Sequence, residues 1–373
     1  MRYSFAINGR SFGVANKGVL ALFALAFVAL VACPVWAATV PGATPGSHQV
    51  SPSGAFTYTI PIATPPGTAG IEPKLSLAYN SQGGNGLLGM GWSLAGLSVM
   101  HRCPRTVAQD GVLGGVNYDG NDRYCLDGQR LVAISGAYGA DGTEYRTETE
   151  SHSRIVSYGS QGSGPFWWKV WTKSGQIIEY GNTADSRIEA QGKTAVMLWA
   201  LNRLADTVGN YLTVSYIEDN ASGQYYPDRI DYTGNTAANK APDNSVRFVY
   251  ETRPDITPTY HAGSLSKLTV RLANVQSYAG DTLSRDYRVT YELSSATQRT
   301  RLASLTECTA ADTCLAPTAL AWSGSPEMSF GPIVESPFVA ADTSTTSNAF
   351  DVGDFNGDGF ADLVKTAGAV IPP

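Results

Sequence analysis

Ser53-Gly-Ala-Phe-Thr-Tyr-Thr-Ile-Pro-Ile62 and, after Pro65-Pro-Gly-Thr-Ala-Gly70, Leu75-Ser-Leu-Ala-Tyr-Asn80 decide the fold class. Phe56, Tyr58, Ile60 and Ile62 alternate with Thr57, Thr59 and Pro61, and Leu75, Leu77 and Tyr79 alternate with smaller or polar residues. A period of two puts every second side chain on one face, the mark of half-buried strands. Two such runs around a Pro- and Gly-rich break read as two strands and a turn. The same pattern recurs at 167–172, 176–180, 211–216, 246–250, 268–272 and 287–292, punctuated by Lys173-Ser-Gly175 and Tyr232-Thr-Gly-Asn235. Outside the first forty residues no window carries an i, i+3, i+4, i+7 apolar stripe. The expected fold class is all-β, a large multi-stranded antiparallel domain.

Composition agrees. Charged residues make up 16% of the 373, hydrophobic residues 43%, and there are 39 Gly, 20 Pro and 19 Tyr. That mix suits many short strands joined by turns and excludes a coiled coil, collagen or a disordered chain. The formal net charge is −6, and setting aside Arg2, Arg10 and Lys17 leaves 23 basic against 32 acidic residues, or −9. A chain of that sign has no broad basic surface with which to displace counterions from a phosphate backbone, so no nucleic-acid partner is expected.

The N-terminus reads as an export signal over 1–37. Arg2, Arg10 and Lys17 precede the apolar run 18–32, and Val35-Trp-Ala37 supplies small residues for cleavage after Ala37. The apolar run is shorter than the ~20 residues that span a bilayer. Leu30-Val-Ala-Cys33 also resembles a bacterial lipobox, so the alternative is acylation at Cys33 and a lipid-anchored envelope protein, the one membrane association expected. Cys103, Cys125, Cys308 and Cys314 remain in the exported part, an even number that admits three connectivities. Pairing of Cys103 with Cys125 and of Cys308 with Cys314 is favoured, while zinc lacks the close CxxC spacing it needs.

Few residues are poised for chemistry. The six glycines of 83–96 surround Leu87, Leu88, Met90, Trp92 and Leu94, but no Lys-Ser/Thr follows, so a tight reversal with Trp92 in the core is expected rather than a phosphate loop. His48, His101, His152 and His261 are isolated, and no Gly-x-Ser-x-Gly elbow supports a triad. Glu148-Thr-Glu150 has the x-Glu-x-Glu arrangement of arginine-specific ADP-ribosyltransferases, but in a strand it is a solvated face. No catalytic residue is assigned. The aromatic runs Phe166-Trp-Trp168 and Gln224-Tyr-Tyr226 read as cross-strand packing, with exposed binding loops as the other use.

The strongest motif lies near the C-terminus. Asp354, Asn356, Asp358 and Asp362, with the carbonyl of Phe360, place oxygen ligands at loop positions 1, 3, 5, 9 and 7, a spacing that wraps the chain around one Ca2+. Position 12 is Lys365 where an EF-hand has a bidentate Glu. Crowded carboxylates repel one another without a cation among them.

The opening stretches quoted above, with Asn85-Gly-Leu-Leu-Gly-Met-Gly-Trp-Ser-Leu94, Asp127-Gly-Gln-Arg-Leu131, Trp199-Ala-Leu-Asn-Arg203, Asp206-Thr-Val-Gly-Asn210 and Cys314-Leu-Ala-Pro-Thr318, resemble the Salmonella plasmid virulence protein SpvB family. The same domain begins the B component of insecticidal Tc toxins and many Rhs or YD-repeat proteins. The resemblance spans about residues 45–325. Val352-Gly-Asp-Phe-Asn-Gly-Asp-Gly-Phe-Ala-Asp-Leu363 resembles an FG-GAP or VCBS-type repeat, the calcium-binding unit of certain β-propellers. The resemblance implies an SpvB-like domain over 38–335, followed at 336–373 by the first, incomplete repeat of a propeller. It implies a secreted, toxin-related scaffold that catalyses nothing itself, because the family's ADP-ribosyltransferase domain lies beyond a further linker. Its partners would be the remaining propeller and YD-repeat shell or other toxin-complex subunits, since one repeat cannot close a ring of four to eight blades. A secreted adhesion module is the second expectation, and an ADP-ribosyltransferase or glycosidase the third.

Overall fold

A computed structural model describes residues 39–323, 349–353 and 362–366. The chain divides into two compact units, Met1–Gly324 and Ser325–Pro373. Among the described residues the regular structure is nearly all strand, interrupted by the four-residue helix Val107–Asp110 and the 3-10 turn Ala184–Ser186. The all-β class expected from the sequence is the class observed.

Within the first unit, eight antiparallel strands close into a barrel. In order they are Val99–Cys103, Arg123–Leu126, Gln129–Ser135, Glu144–Thr147, Arg154–Tyr158, Trp167–Trp171, Ile177–Tyr180 and Val196–Ala205. The last returns to the first through Leu198↔His101, Trp199↔Met100 and Ala200↔Val99. A barrel of this strand number has an interior that side chains can fill. Tyr124, Tyr145, Trp168 and Trp199 do so, their ring centroids 5.1 to 5.7 Å apart, mostly edge-on. The Trp199 indole N–H donates to the Pro165 and Phe166 carbonyls at 3.2 and 3.1 Å. Arg102 and Asp122 form a buried ion pair at 2.9 Å beside these rings.

Val196–Ala205 is also the first strand of an open meander. Asn210–Asp219, Gln224–Asn235, Asn244–Thr252, Val270–Ala279, Thr282–Leu293 and Thr300–Cys308 follow it, each antiparallel to the one before. Leu212, Ile230, Tyr232, Val246, Leu272, Val275, Tyr287 and Leu302 make its buried face. A four-stranded sheet, Ser47–Val50, Phe56–Ile62, Leu75–Asn80 and Trp92–Ala95, adds Ile60, Ile62, Leu75, Leu77 and Trp92 to the same core. Hydrogen bonds tie the two together: Ala63 N–H donates to Tyr287 Oη at 2.9 Å, Tyr232 Oη to the Pro65 carbonyl at 2.8 Å, and Leu272 N–H to the Leu87 carbonyl at 2.9 Å.

The glycine-rich stretch forms the reversal its composition implies, with Asn85–Gly86 paired to Gly89–Met90 and Trp92 buried. Gly89 has φ of +85°, and a Cβ there would lie 2.5 Å from the Thr300 carbonyl oxygen, so backbone packs on backbone. The period-two runs at 56–62 and 75–80 are strands, and those at 211–216 and 246–250 are parts of longer ones. The run at 268–272 marks its strand less well, for pairing begins at Val270 and continues to Ala279.

Disulfides join Cys103 to Cys125 and Cys308 to Cys314. The first links neighbouring barrel strands, and the second pins the hairpin between Thr300–Cys308 and Cys314–Ala316. In the second unit Ala349–Gly353 pairs antiparallel with Asp362–Thr366, and Gly353↔Asp362 is the pair nearest the intervening loop.

Candidate functional site

Phe56, Tyr58, Ile60 and Ile62 project from one face of their strand. Ile60 and Ile62 are buried in the shared core, while Phe56 is 44% exposed and Tyr58 half-buried. With Tyr79, Trp92 and the chain segment from Thr318 to Ser323 they line a groove of about 500 Å3. Tyr79 packs against Trp92 at 5.4 Å and edge-on against Trp322 at 5.9 Å between centroids, and Tyr58 stands edge-on to Trp92 at 6.3 Å. Trp322 is held by its indole N–H, which donates to the Leu302 carbonyl at 2.8 Å. All the lining residues are uncharged. The groove is suited to burying an uncharged surface against aromatic rings. It supplies hydroxyl and indole groups but no charged side chain.

Two buried carboxylates, Asp110 and Asp255, are engaged in structural bonds. Asp110 accepts both 2.8 Å bonds from Arg130 Nη2, one of 2.7 Å from Arg123 Nε and one of 3.0 Å from the Thr106 N–H. Burial raises its carboxyl, but the Arg130, Arg123 and Thr106 bonds outweigh that and hold it at about 2. Asp255 is treated likewise: burial opposes ionisation, yet bonds from Arg253, Thr300 and Asn85 keep it well below the usual carboxylate range. This joint fastens the reversal at Asn85 to the start of Thr300–Cys308. Burial pushes the Tyr138 phenol up to about 12 and the Tyr124 phenol higher still, as expected of ring hydroxyls inside a filled barrel.

The residues singled out in the sequence are dispersed. Glu148 and Glu150 sit in a bend after the Glu144–Thr147 strand rather than on a strand face. Glu148 accepts from Gln109 Nε2, whereas Glu150 turns back to accept from the His152 N–H at 2.5 Å, so the two carboxylates serve different neighbours. His48 stacks on Phe56, His261 stands edge-on to Tyr118, and His101 Nδ1 lies 3.7 Å from Cys103 Sγ. Among the described residues no group of three or more His, Cys, Asp or Glu is arranged to hold a metal. Cys33, Ala37, Asp354, Asn356, Asp358 and Phe360 lie outside the described residues, and Asp362 opens the second strand of its hairpin.

Trp168 is fully buried, Trp167 stacks on Tyr158 at 4.4 Å, and Tyr226 packs on Tyr250, so both aromatic runs pack within and across strands. Sequence reasoning missed the groove. Tyr79 and Trp322 stand 243 positions apart, and the available signal was that Phe56 and Tyr58 continue an apolar face beyond Ile60.

Comparison with known proteins places these features in a family. Residues 50–253 match the model of SpvB, Salmonella virulence plasmid 65kDa B protein. The mono(ADP-ribosyl)transferase SpvB of Salmonella typhimurium is 27% identical over 236 residues, covering 58% of this chain and 37% of the relative, and that of Salmonella dublin gives the same figures. The chain thus spans little more than a third of the length of these relatives. Among solved structures, the N-terminal domain of effector protein SpvB from Salmonella typhimurium strain LT2 superposes with a TM-score of 0.54 at 20% identity, covering 67% of this chain and 99% of that one. The TcdB2-TccC3 structure superposes at 0.61 and 19% identity, covering 78% of this chain and 17% of the other. The Photorhabdus luminescens Tc holotoxin pore gives 0.62 at 18%, covering 78% and 16%. With the family model matching more than half of its residues, this chain belongs to the SpvB family.

Proposed function

We propose that residues 39–323 are a non-catalytic scaffold domain of an exported, toxin-related protein, and that they carry other parts of a larger assembly. The observation that carries this reading is the coverage of 99% of a chain described as the N-terminal domain of SpvB, by a fold whose barrel is filled with interlocked rings and a buried ion pair. A filled barrel is a rigid support rather than a reaction vessel. In this reading residues 336–373 begin a calcium-binding repeat, and further propeller blades, a YD-repeat shell or other toxin-complex subunits complete it. The pair Gly353↔Asp362 fits that role, since it sets the last proposed ligand, Asp362, opposite the residue that precedes the first in the sequence. Export through residues 1–37, or anchoring at Cys33, belongs to the same proposal.

The test is NAD-dependent labelling by the purified chain. The expected result is none above background, unchanged in Glu148→Gln/Glu150→Gln; labelling that the double substitution abolishes would overturn the scaffold reading. Calcium titrated into the full chain should raise the melting point of the second unit, and Asp358→Ala should remove that rise.

The groove at Phe56, Tyr79 and Trp322 favours a second reading, a binding module that presses an uncharged surface onto aromatic rings. In that case Trp322→Ala would abolish partner capture while leaving the fold intact.

A further inference from the structure

The Asn210–Asp219 strand pairs with Val196–Ala205 only from Tyr211 to Thr213, so its remaining residues run past that neighbour. A strap made of the 3-10 turn Ala184–Ser186 and the short strand Arg187–Glu189 lies along the overhanging edge. Two carboxylates join them. Asp185 Oδ2 accepts from the Tyr216 N–H at 2.8 Å. Two residues further on, Glu218 turns to the strap, where the Glu189 N–H faces its carboxylate.

The second joint is incomplete. Glu218 Oε1 is buried and has no hydrogen-bond partner among the described residues. The charged groups facing it are Glu189, Arg187 and Asp185 from the strap, and Tyr225 stands opposite it in register on Gln224–Asn235. Arg187 does not fill the gap: Nη1 donates to the Gly181 carbonyl at 3.0 Å, the guanidinium lies over the Phe166 ring at 3.7 Å, and its buried Nε makes no hydrogen bond among the described residues. Glu189 accepts from Gln161 Nε2, which leaves its second oxygen available as an acceptor.

We propose that Glu218 is a proton-operated latch between the barrel strap and the meander. Ionised, it leaves one buried oxygen without a partner beside two other carboxylates; with a proton taken from solvent, it gains an O–H donor of its own and ties the strand edge to the strap. Burial first, and the Glu189 charge second, raise the Glu218 carboxyl to about 7, which places the change between neutral and mildly acidic solution. The folded-state value lies above the unfolded one, so the latch contributes fully below the ordinary glutamate range and is lost as pH rises through about 7. The junction is therefore tighter in acid.

Hydrogen exchange of the full chain at pH 5.5 and 8, corrected for intrinsic rates, reads this directly at the amides of Tyr216 and the strap. Exchange there should slow about tenfold at the lower pH, the equivalent of one pKa unit of differential interaction. In Glu218→Gln, whose amide supplies a permanent donor, the strap should be protected at both pH values and the pH step should vanish. In Glu189→Gln, with the facing charge removed, the step should move to lower pH, and this variant carries the test if the first fails to fold. Strap exchange that ignores pH in the parent, or an unchanged step in both variants, would overturn the proposal.

Discussion

In the barrel, strands of four to seven residues, apart from the shared one, close on themselves around large rings. In the meander, strands of nine to twelve residues stay open and depend on the small sheet at Phe56–Ile62 and Leu75–Asn80 to cover their apolar face. Closure removes strand edges, so short strands suffice when the interior is filled. An open sheet needs length and a cover instead. The two meet in Val196–Ala205, whose four consecutive buried residues, Trp199 to Asn202, belong to neither pattern alone.

If that strand couples the regions, Trp199→Ala should be the most damaging change, costing about 4 kcal/mol in denaturant unfolding and lowering exchange protection in barrel and meander together. Loss confined to the barrel would show that the halves are stabilised independently. Leu272→Ala, deep in the meander, should cost about 3 kcal/mol and leave protection at Tyr124 and Trp168 largely intact. The disulfides sharpen the contrast at smaller scale. Cys103–Cys125 spans 22 residues and Cys308–Cys314 only six, so chain-entropy arithmetic assigns about 3 kcal/mol to the first and about 2 kcal/mol to the second. Double Cys→Ser variants of each pair, compared by thermal unfolding, should rank in that order; the reverse order would mean that the hairpin tip, rather than barrel closure, limits unfolding.

The meander was the more readable half. Its strands alternate because one face is covered and the other is wet, so 211–216 and 287–292 announce themselves in the chain. Barrel closure was not readable. Val196–Ala205 has neighbours on both edges and burial on both faces over its middle, which erases the alternation, and the Arg123–Leu126 and Glu144–Thr147 strands are too short for a period to register. Glu148 and Glu150 were assigned to a strand face because Thr-Glu-Thr-Glu alternates, but the strand ends at Thr147 and each carboxylate finds its own partner. The groove depends on a contact between the beginning and the end of the domain, which no local pattern encodes.

The all-β class and the reversal at Gly89 follow from the order of the residues, because alternation and glycine conformation are local properties. Only the folded chain settles which strands close the barrel, where the aromatic groove opens and why one Glu218 oxygen has no partner among the described residues. Each of these depends on which residues distant in the chain come within a few ångströms of one another, and on how much water is left between them.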